Sequence, residues 1–186
     1  MPVSVARHAG FCMGVKRAVD GAVKAAQEGK PIVSFGELAH NPEVIRRLNA
    51  MGISVIHEVE QARGKVVLIR SHGVAPEITE ALRRVADEVI DLTCPFVARL
   101  HDVVARYSSG GLPVILVGQR DHPEVIGTIG YGRGTVYTVH DPEEAAALPQ
   151  MDRALAVSQT TFPHERWEEI LPVLHSRVEN LTVQGT

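Results

Sequence analysis

Short aliphatic runs alternate along the chain with longer segments in which apolar residues recur every three or four positions. The runs are typical of buried strands, and they occupy residues 31–35, 65–70, 113–117 and 154–157. Helical spacing is clearest in the segment that contains Val15, Ala18, Val19, Ala22, Val23 and Ala26. A second such segment, with Pro95 at a helix-starting position, contains Val97, Leu100, Val104 and Tyr107. This alternation predicts an α/β fold with mainly parallel sheets and helices on their faces.

The same pattern occurs twice. An apolar run, a glycine and a histidine loop followed by Pro-Glu-Val-Ile come once after residue 30 and again after residue 112. Three pairs of residues are each separated by 82 positions, namely Cys12 and Cys94, Gly36 and Gly118, and His40 and His122. Because three residue types share one period, we interpret the chain as two pseudo-symmetric copies of one α/β unit.

The predicted division is an N-terminal strand over residues 1–12, a first α/β module over 13–94 and a second over 95–186. After each histidine loop we expect a helix, a short strand at 54–56 or 136–139, the next apolar strand and a further helix. The strand at 65–70 runs into Ser71-His72-Gly73-Val74, and its counterpart at 154–157 runs into Ser158-Gln159-Thr160-Thr161. No Gly/Ser-rich linker marks the boundary near Cys94, so we expect the modules to pack closely.

The period also predicts a third boundary. Counting 82 positions from Cys94 gives residue 176, but Lys65 corresponds roughly to Arg153, 88 positions away, so the second unit is longer. We therefore expect the boundary in the 180s, where residues 180–186 resemble the strand before Cys94. This leads us to expect that a third module is absent and that the sequence is a fragment or a naturally shortened form.

Composition and charge narrow the classes of partner. Apolar residues make up 45% and charged residues 22% of the chain, which suits a globular core. With 19 Lys and Arg against 22 Asp and Glu, the net charge of −3 argues against binding nucleic acid or a membrane surface. An anionic ligand would need a local site of histidines or helix N-termini. No apolar run reaches the roughly 20 residues of a membrane span and no signal peptide is evident, so we expect a cytoplasmic location.

Cys12 and Cys94 each lie just before a predicted helix, where the helix N-terminus stabilises the thiolate that binds metal. Each could instead be a small buried apolar residue. Their equivalent positions in a pseudo-symmetric fold favour convergence near the pseudo-axis. With only two cysteines and no CxxC or Cys–His pair at ligand spacing, neither a disulfide framework nor a local zinc motif is expected.

Three histidines, His40, His72 and His122, each follow a predicted strand. A single loop histidine is commonly a solvated surface residue, but three at parallel positions could donate N–H groups to phosphate oxygens. The remaining histidines lack this placement, and we expect structural or surface roles for His8, His57, His101, His140, His164 and His175.

A carboxylate and three hydroxyls complete the candidate chemistry. Glu124 could deliver protons from a closed pocket, or it could be a helix N-terminal carboxylate like its repeat counterpart Glu43. Ser158, Thr160 and Thr161 could hydrogen-bond a substrate hydroxyl or cap the next helix.

Six motifs in order carry a resemblance that spans the chain from near residue 3 to its end. They are Gly10-Phe-Cys12-Met-Gly-Val15, Ala39-His40-Asn41, Ser71-His72-Gly73-Val74, Thr93-Cys94-Pro95, His122-Pro-Glu124-Val125 and Ser158-Gln159-Thr160-Thr161. Together they resemble the IspH/LytB family, the 4-hydroxy-3-methylbut-2-enyl diphosphate reductases of non-mevalonate isoprenoid synthesis.

The resemblance implies a trefoil of three α/β modules around a [4Fe–4S] cluster, with Cys12 and Cys94 as two of three cysteine ligands. It implies that His40, His72 and His122 bind the substrate diphosphate. Glu124 would belong to the proton relay, and Thr160, with Thr161 beside it, would bind the substrate. The implied reaction is a two-electron, two-proton reductive dehydroxylation that yields isopentenyl and dimethylallyl diphosphates, with ferredoxin or flavodoxin as electron donor.

The chain departs from the family pattern in two respects, because it lacks the third cysteine and the Ser-x-Asn segment of the third module. Three hypotheses follow, in order of preference. The chain is a reductase fragment that a missing third module completes; it is a diphosphate-binding module without a cluster or redox activity; or it shares a cluster between copies that each provide two thiolates.

Overall fold

The computed structural model describes residues 3–4 and 10–185, which form two successive units of helices and parallel strands. The first unit comprises α1 (Met13–Ala26), β1 (Ile32–Phe35), α2 (Pro42–Ala50), β2 (Ser54–Ile56), a short 3₁₀ helix (Val59–Ala62), β3 (Val66–Ile69), α3 (Pro76–Val85) and β4 (Glu88–Asp91). The second comprises α4 (Pro95–Ser109), β5 (Val114–Val117), α5 (Pro123–Ile129), β6 (Val136–Val139), α6 (Pro142–Ala146), β7 (Met151–Ser158), α7 (His164–Arg177) and β8 (Val178–Val183). The 3₁₀ helix and α6 are additions that the apolar pattern did not predict.

Each unit builds its own four-stranded sheet, and the two sheets have the same topology. The strand orders are β2-β1-β3-β4 and β6-β5-β7-β8, and every neighbouring pair is parallel. The predicted α/β class with parallel sheets is therefore confirmed. The first sheet lies within residues 13–94 and the second within 95–186.

Apolar helices cover both faces of each sheet. The core on one face of the first sheet includes Ala18 and Ala22 of α1 with Leu48 of α2, and Leu82 of α3 packs on the other face. In the second sheet, α4 and α5 cover one face, while α6 and α7 cover the other. Strands buried on both faces explain why the chain shows continuous aliphatic runs rather than alternation.

Strand register defines which residues of the two units are equivalent. Ile32 of β1 pairs with Val66, and its counterpart Val114 of β5 pairs with Leu155. Val66 and Leu155 are therefore equivalent and lie 89 positions apart, not 88. By this register Arg70 corresponds to Gln159 and Ser71 to Thr160. Most of the extra residues lie between β6 and β7, in the segment that contains α6.

The spacing between equivalent residues of the two modules increases again at the last strand of each sheet, β4 and β8. Val66 pairs with Glu88 of β4, and Leu155 pairs with Thr182 of β8, so these strands are 94 positions apart. The cause is α7, which has 14 residues where α3 has 10. By this spacing the third boundary would fall beyond residue 176, and its position in the 180s stays a prediction.

The two modules pack closely through small residues and one buried histidine. A Cβ atom on Gly127 of α5 would lie 3.5 Å from the Cα atom of Val74. His101 of α4 is 2% exposed and stacks on Tyr131 with ring centroids 4.1 Å apart. Burial lowers the pKa of His101 to about 4, against the opposing charges of Asp91 and Asp102. His101 is therefore a neutral core residue between the modules.

The predicted strand over residues 1–12 lies largely outside the described residues, as does His8. Within residues 3–4 and 10–185, none of the helices is long and apolar enough to cross a membrane.

Candidate functional site

Three histidines meet where the loops after β1, β3 and β5 come together. The ring centroids of His40 and His72 are 4.6 Å apart, those of His72 and His122 are 5.3 Å apart, and those of His40 and His122 are 5.6 Å apart. One nitrogen from each ring lies within 4.8 Å of the others. The carboxyl ends of parallel strands from both modules thus contribute to one cluster, where α/β folds commonly bind ligands.

His72 is the most deeply placed of the three and is neutral at physiological pH. Burial lowers its pKa to about 4, and the neighbouring rings of His40 and His122, together with Arg70, act in the same direction. Its Nδ1 atom is buried and has no hydrogen-bond partner among the described residues. A buried polar atom without a partner is costly, so this ring is prepared for a ligand or for water.

The hydrogen bond made by His122 determines which kind of ligand suits the cluster. Its Nδ1 atom accepts from the backbone N–H of Glu124 at 3.1 Å and thereby caps α5. Burial lowers the pKa of His122, so the ring is neutral and its proton lies on Nε2. A metal ion binds a ring nitrogen that carries no proton. Binding at Nε2 would therefore require the proton to sit on Nδ1, where it would face the Glu124 N–H and break that hydrogen bond. The cluster therefore suits an anion, which accepts hydrogen bonds, better than a metal ion.

His40 lies at the more exposed edge of the cluster. Its Nδ1 atom is 4.0 Å from the carboxylate of Glu37. The helix that follows is capped by Asn41, whose side chain accepts from the N–H groups of Glu43 and Val44. In the second module the corresponding loop is one residue shorter, and His122 itself takes over the capping role.

Glu124 and Thr160 form a buried pair beside the histidines. The Thr160 N–H donates to Glu124 Oε1 at 2.6 Å, and the Thr160 hydroxyl donates to Oε2 at 2.8 Å. Glu124 is 1% exposed, and this burial raises its pKa although the two hydrogen bonds act in the opposite direction. Its repeat counterpart Glu43 is exposed and pairs with Arg46. Glu124 is thus a buried carboxyl group in the first turn of α5, whereas Glu43 is a solvated one.

The loop after β7 does not cap the following helix. The N-cap of α7 is Pro163, which makes no side-chain cap hydrogen bond, so capping by Ser158, Thr160 or Thr161 was a wrong alternative. The Thr161 hydroxyl instead accepts from the Gln159 amide at 2.8 Å. Gln159 is 5% exposed, and its amide oxygen accepts from the backbone N–H of Gln119 at 3.1 Å.

Gln159 is a residue that sequence reasoning did not single out, although it lies inside a quoted motif. It joins the loops after β5 and β7 and so fixes the backbone that bears Thr160. Its position one residue past a buried strand was the available signal.

The two cysteines cap two helices whose N-termini approach each other. Cys12 is the N-cap of α1 and Cys94 is the N-cap of α4, and neither thiol makes a cap hydrogen bond. A Cβ atom on Gly14 would lie 2.6 Å from Cys94 Sγ. The Cys94 thiol thus lies against the first turn of the helix that begins after Cys12. Cys94 therefore comes close to Gly14, two residues after Cys12, and both thiols are free, with Cys12 exposed and Cys94 partly buried.

A polar cleft of about 190 Å³ adjoins His122 on the second module, and its polar lining residues are Gln119, His140, Gln159, Thr161 and Arg166. A wider groove of about 570 Å³ runs along α1 from Gly10 and Phe11 to Gln27. None of the three clustered histidines lines this groove.

Of the other histidines, the register makes His57 and His140 equivalent. The backbone N–H of each is bonded to the side chain four residues later, Gln61 or Glu144. His140 also contacts Arg166, with 3.2 Å between its Nε2 atom and Nη1. These contacts fit the structural role expected for both.

Comparison with known proteins gives consistent results. The model of the LytB protein family matches residues 3–186. The 4-hydroxy-3-methylbut-2-enyl diphosphate reductase of Thermoanaerobacter sp. (strain X514) is 43% identical over 191 residues, covering 100% of this chain and 66% of the relative. The reductase of the same name from Geobacter sp. (strain M21) is 39% identical, again with 100% and 66% coverage. The chain thus spans just under two thirds of the length of these curated relatives.

Two solved structures have the same fold. One, a structure of (E)-4-hydroxy-3-methyl-but-2-enyl diphosphate reductase, the terminal enzyme of the non-mevalonate pathway, superposes with a TM-score of 0.86 at 38% identity over 98% of this chain and 66% of that one. The other, an E-1-hydroxy-2-methyl-but-2-enyl-4-diphosphate reductase from Plasmodium falciparum, gives a TM-score of 0.90 at 25% identity over 96% of this chain and 57% of that one.

Proposed function

Because the chain belongs to the LytB protein family over residues 3–186, we propose that it forms two modules of a 4-hydroxy-3-methylbut-2-enyl diphosphate reductase. The reaction replaces the allylic hydroxyl of the substrate by hydrogen, consumes two electrons and two protons, and releases water with isopentenyl and dimethylallyl diphosphates. The observation that carries this proposal is the convergence of three strand-end histidines from both modules on one cluster.

Diphosphate binding is assigned to His40, His72 and His122. An imidazole N–H donates a single hydrogen bond to a phosphate oxygen, and the capping bond at His122 Nδ1 reserves its Nε2–H for that purpose. A ligand oxygen would also give the buried Nδ1 atom of His72 a partner if that nitrogen carries the proton. The chain would thus bind a strongly charged ligand despite its net negative charge.

Proton delivery is assigned to the pair of Glu124 and Thr160. A carboxyl whose pKa is raised by burial holds its proton at higher pH, which suits a general acid. The Thr160 hydroxyl, held by Glu124, lies where it could also contact the substrate hydroxyl, with Thr161 on the adjacent backbone. Thr160 therefore connects proton donor and substrate.

The thiols fit a [4Fe–4S] cluster as two of its ligands. Both are free, both directly precede a helix, and Gly14 leaves the space beside Cys94 Sγ that any side chain would fill. When bound, the cluster would supply single electrons to the substrate, with ferredoxin or flavodoxin as the electron donor. The protein's own part is to hold the substrate and the proton beside it.

A third ligand is assigned to a third module. Since β4 and β8 differ by 94 positions, the site equivalent to Cys12 and Cys94 corresponds to position 188. The relatives are longer than this chain, which leaves room for such a module. We keep a cytoplasmic location as part of the proposal.

The test is anaerobic reconstitution with iron and sulfide, with and without a separately expressed third module. We expect a [4Fe–4S] absorption and reductase activity only in the completed protein. A completed protein without the cluster spectrum would disprove the enzyme proposal. A cluster in a strictly monomeric chain would exclude the hypothesis that copies share it.

The second candidate function is diphosphate binding without redox chemistry. The histidine cluster favours this function because all three of its residues belong to the described part of this chain. Calorimetry with isoprenoid diphosphates tests it on this chain. A double variant, His40→Ala with His122→Ala, should lose the binding, whereas a parent chain that binds none would remove this candidate.

A further inference from the structure

Arg70 occupies the position in the first module that Gln159 occupies in the second. Both residues directly follow the central buried strand, β3 or β7, and both begin the same turn. The Gly73 N–H donates to the Arg70 carbonyl at 3.0 Å, and the Phe162 N–H donates to the Gln159 carbonyl at 2.9 Å. The two backbones are therefore alike, and the modules differ here in side-chain chemistry.

Both side chains pack over an equivalent glycine at the end of the neighbouring strand. A Cβ atom on Gly36 would collide with Arg70 Nη1 and would lie 2.9 Å from Cζ. A Cβ atom on Gly118 would lie 3.0 Å from the Gln159 amide oxygen. In the second module the Gln159 amide joins the loops after β5 and β7. In the first module the equivalent residue, Arg70, places a guanidinium over Gly36 instead.

Arg70 lies two residues before His72, and its guanidinium packs over Gly36, four residues before His40. Its positive charge lowers the pKa of both His72 and His122, in addition to the effect of burial. Arg70 is partly buried, and its Nε atom is a buried donor with no hydrogen-bond partner within the described part of the chain. The acidic side chain that opposes its charge is Glu37, and these two groups do not form an ion pair within 4.0 Å.

The cluster needs such a charge because His72 and His122 are neutral at physiological pH. Neutral N–H donors give direction to phosphate oxygens, but they do not offset several negative charges removed from water. A guanidinium remains protonated even when partly buried, and it binds phosphate oxygens well. We propose that Arg70 supplies the fixed positive charge of the histidine cluster and is required for tight binding of a diphosphate group there.

This inference rests on the proposed diphosphate site and adds the residue that gives that site its charge. The pseudo-symmetry provides the matched variant. Arg70→Gln installs the residue that the equivalent position already carries over an equivalent glycine, so we expect it to fold. Arg70→Lys keeps the charge, and Arg70→Met is a second neutral variant if Arg70→Gln has a lowered melting temperature.

The experiment is calorimetric titration of the full chain and these variants with inorganic diphosphate at low and high salt. We expect Arg70→Gln to weaken binding about tenfold at low salt and less at high salt, because screening already reduces the charge effect. Arg70→Lys should stay within about threefold of the parent. Equal binding by parent and Arg70→Gln would overturn the inference while leaving the diphosphate site intact.

Nuclear magnetic resonance titration of the histidines gives a second readout that a merely structural role would not change. The pKa of His72 should rise in Arg70→Gln and stay unchanged in Arg70→Lys, since removal of a nearby positive charge favours the protonated ring. An unchanged His72 pKa in Arg70→Gln would overturn the inference even if binding fell. A parent chain that does not bind diphosphate would instead refute the proposed function, and the two failures are thus distinguishable.

Discussion

Glu124 and Thr160 are 36 residues apart in the sequence, yet two hydrogen bonds join them at 2.6 and 2.8 Å. One begins the helix after β5, and the other follows β7. Because β5 and β7 are adjacent parallel strands, their carboxyl ends bring the two residues together. This pair illustrates how the sheet order, rather than proximity in sequence, assembles the site.

The burial of Glu124 predicts a specific pH dependence of stability. The carboxyl pKa is raised from 4.5 in the folded state, so its neutral form is favoured by folding. Its contribution is complete below the unfolded pKa and declines as pH rises through the folded pKa. Glu124→Gln should therefore gain stability relative to the parent as pH rises above 4.5, measured as melting temperature against pH.

Glu43→Gln is the matched control, because the same type of residue lies at the equivalent helix start but is exposed. It should show no such gain. In a completed reductase, Glu124→Gln should also lower kcat by about 10²- to 10⁴-fold through loss of the proton donor. A Glu124→Gln enzyme with unchanged kcat would contradict the assigned role.

The lowered pKa of His72 predicts that the protein loses stability as pH falls, the opposite of the effect of Glu124. Its pKa is lowered from 6.5 to about 4, so folding favours the neutral ring. That contribution is complete above the unfolded pKa and is lost as pH falls through the folded value. His72→Gln should make the loss of stability between pH 6.5 and 4 less steep in urea unfolding experiments.

In His72→Gln some loss of stability at acid pH should remain, because burial also lowers the pKa of His101 to about 4. His164→Gln, which changes a side chain that is 80% exposed, should leave the acid slope unaltered. An identical slope in His72→Gln and the parent would show that this ring is not desolvated.

The contact between Gly14 and Cys94 predicts that a side chain at position 14 destabilises the protein. In Gly14→Ala the added Cβ would lie 2.6 Å from Cys94 Sγ, so the thiol or the helix must move. We expect a loss of about 1–3 kcal/mol in unfolding free energy. We also expect lower iron content after reconstitution of a completed protein.

Gly134→Ala is the control for this change, because its Cβ would be 3.7 Å from the nearest atom, the Ser108 carbonyl oxygen. It should leave both readouts near parent values. Equal effects of the two substitutions would mean that Cys94 is not confined by α1.

Gln159 predicts coupling between two loops of the site. Gln159→Met keeps the approximate volume and removes the bonds to the Gln119 N–H and the Thr161 hydroxyl. Two lost hydrogen bonds should lower the unfolding free energy by about 1–3 kcal/mol. Chemical unfolding measures this, and a variant as stable as the parent would argue against the link.

Much of the architecture follows from local pattern. Strands 54–56 and 136–139 were predicted at their observed bounds, and the helices after Cys12 and Cys94 begin at the next residue. Periodicity succeeds here because helices and buried strands each impose their own spacing of apolar residues. The short α6 was missed because a five-residue segment has too few turns to show a period.

The equivalences between modules show where pattern alone fails. The segments that begin at Ser71 and Ser158 look alike in sequence. Strand register nevertheless makes Ser71 equivalent to Thr160, and Arg70 equivalent to Gln159. Inserted residues in the loops change the count without changing the fold, so a constant period could not detect them. Local pattern also left two roles open for the hydroxyls after β7, substrate binding or helix capping, and the structure excludes capping because Pro163 is the N-cap of α7.

By itself the sequence determined most of the strands and helices, the duplication and the candidate residues, because these depend on spacing along the chain. Only the tertiary structure decided that Glu124 is buried against Thr160, that His122 Nδ1 accepts from the Glu124 N–H, and that the Arg70 guanidinium packs over Gly36. Those properties depend on which surfaces exclude water and which atoms meet across the sheets. Such contacts are made between residues distant in sequence, and no local pattern records them.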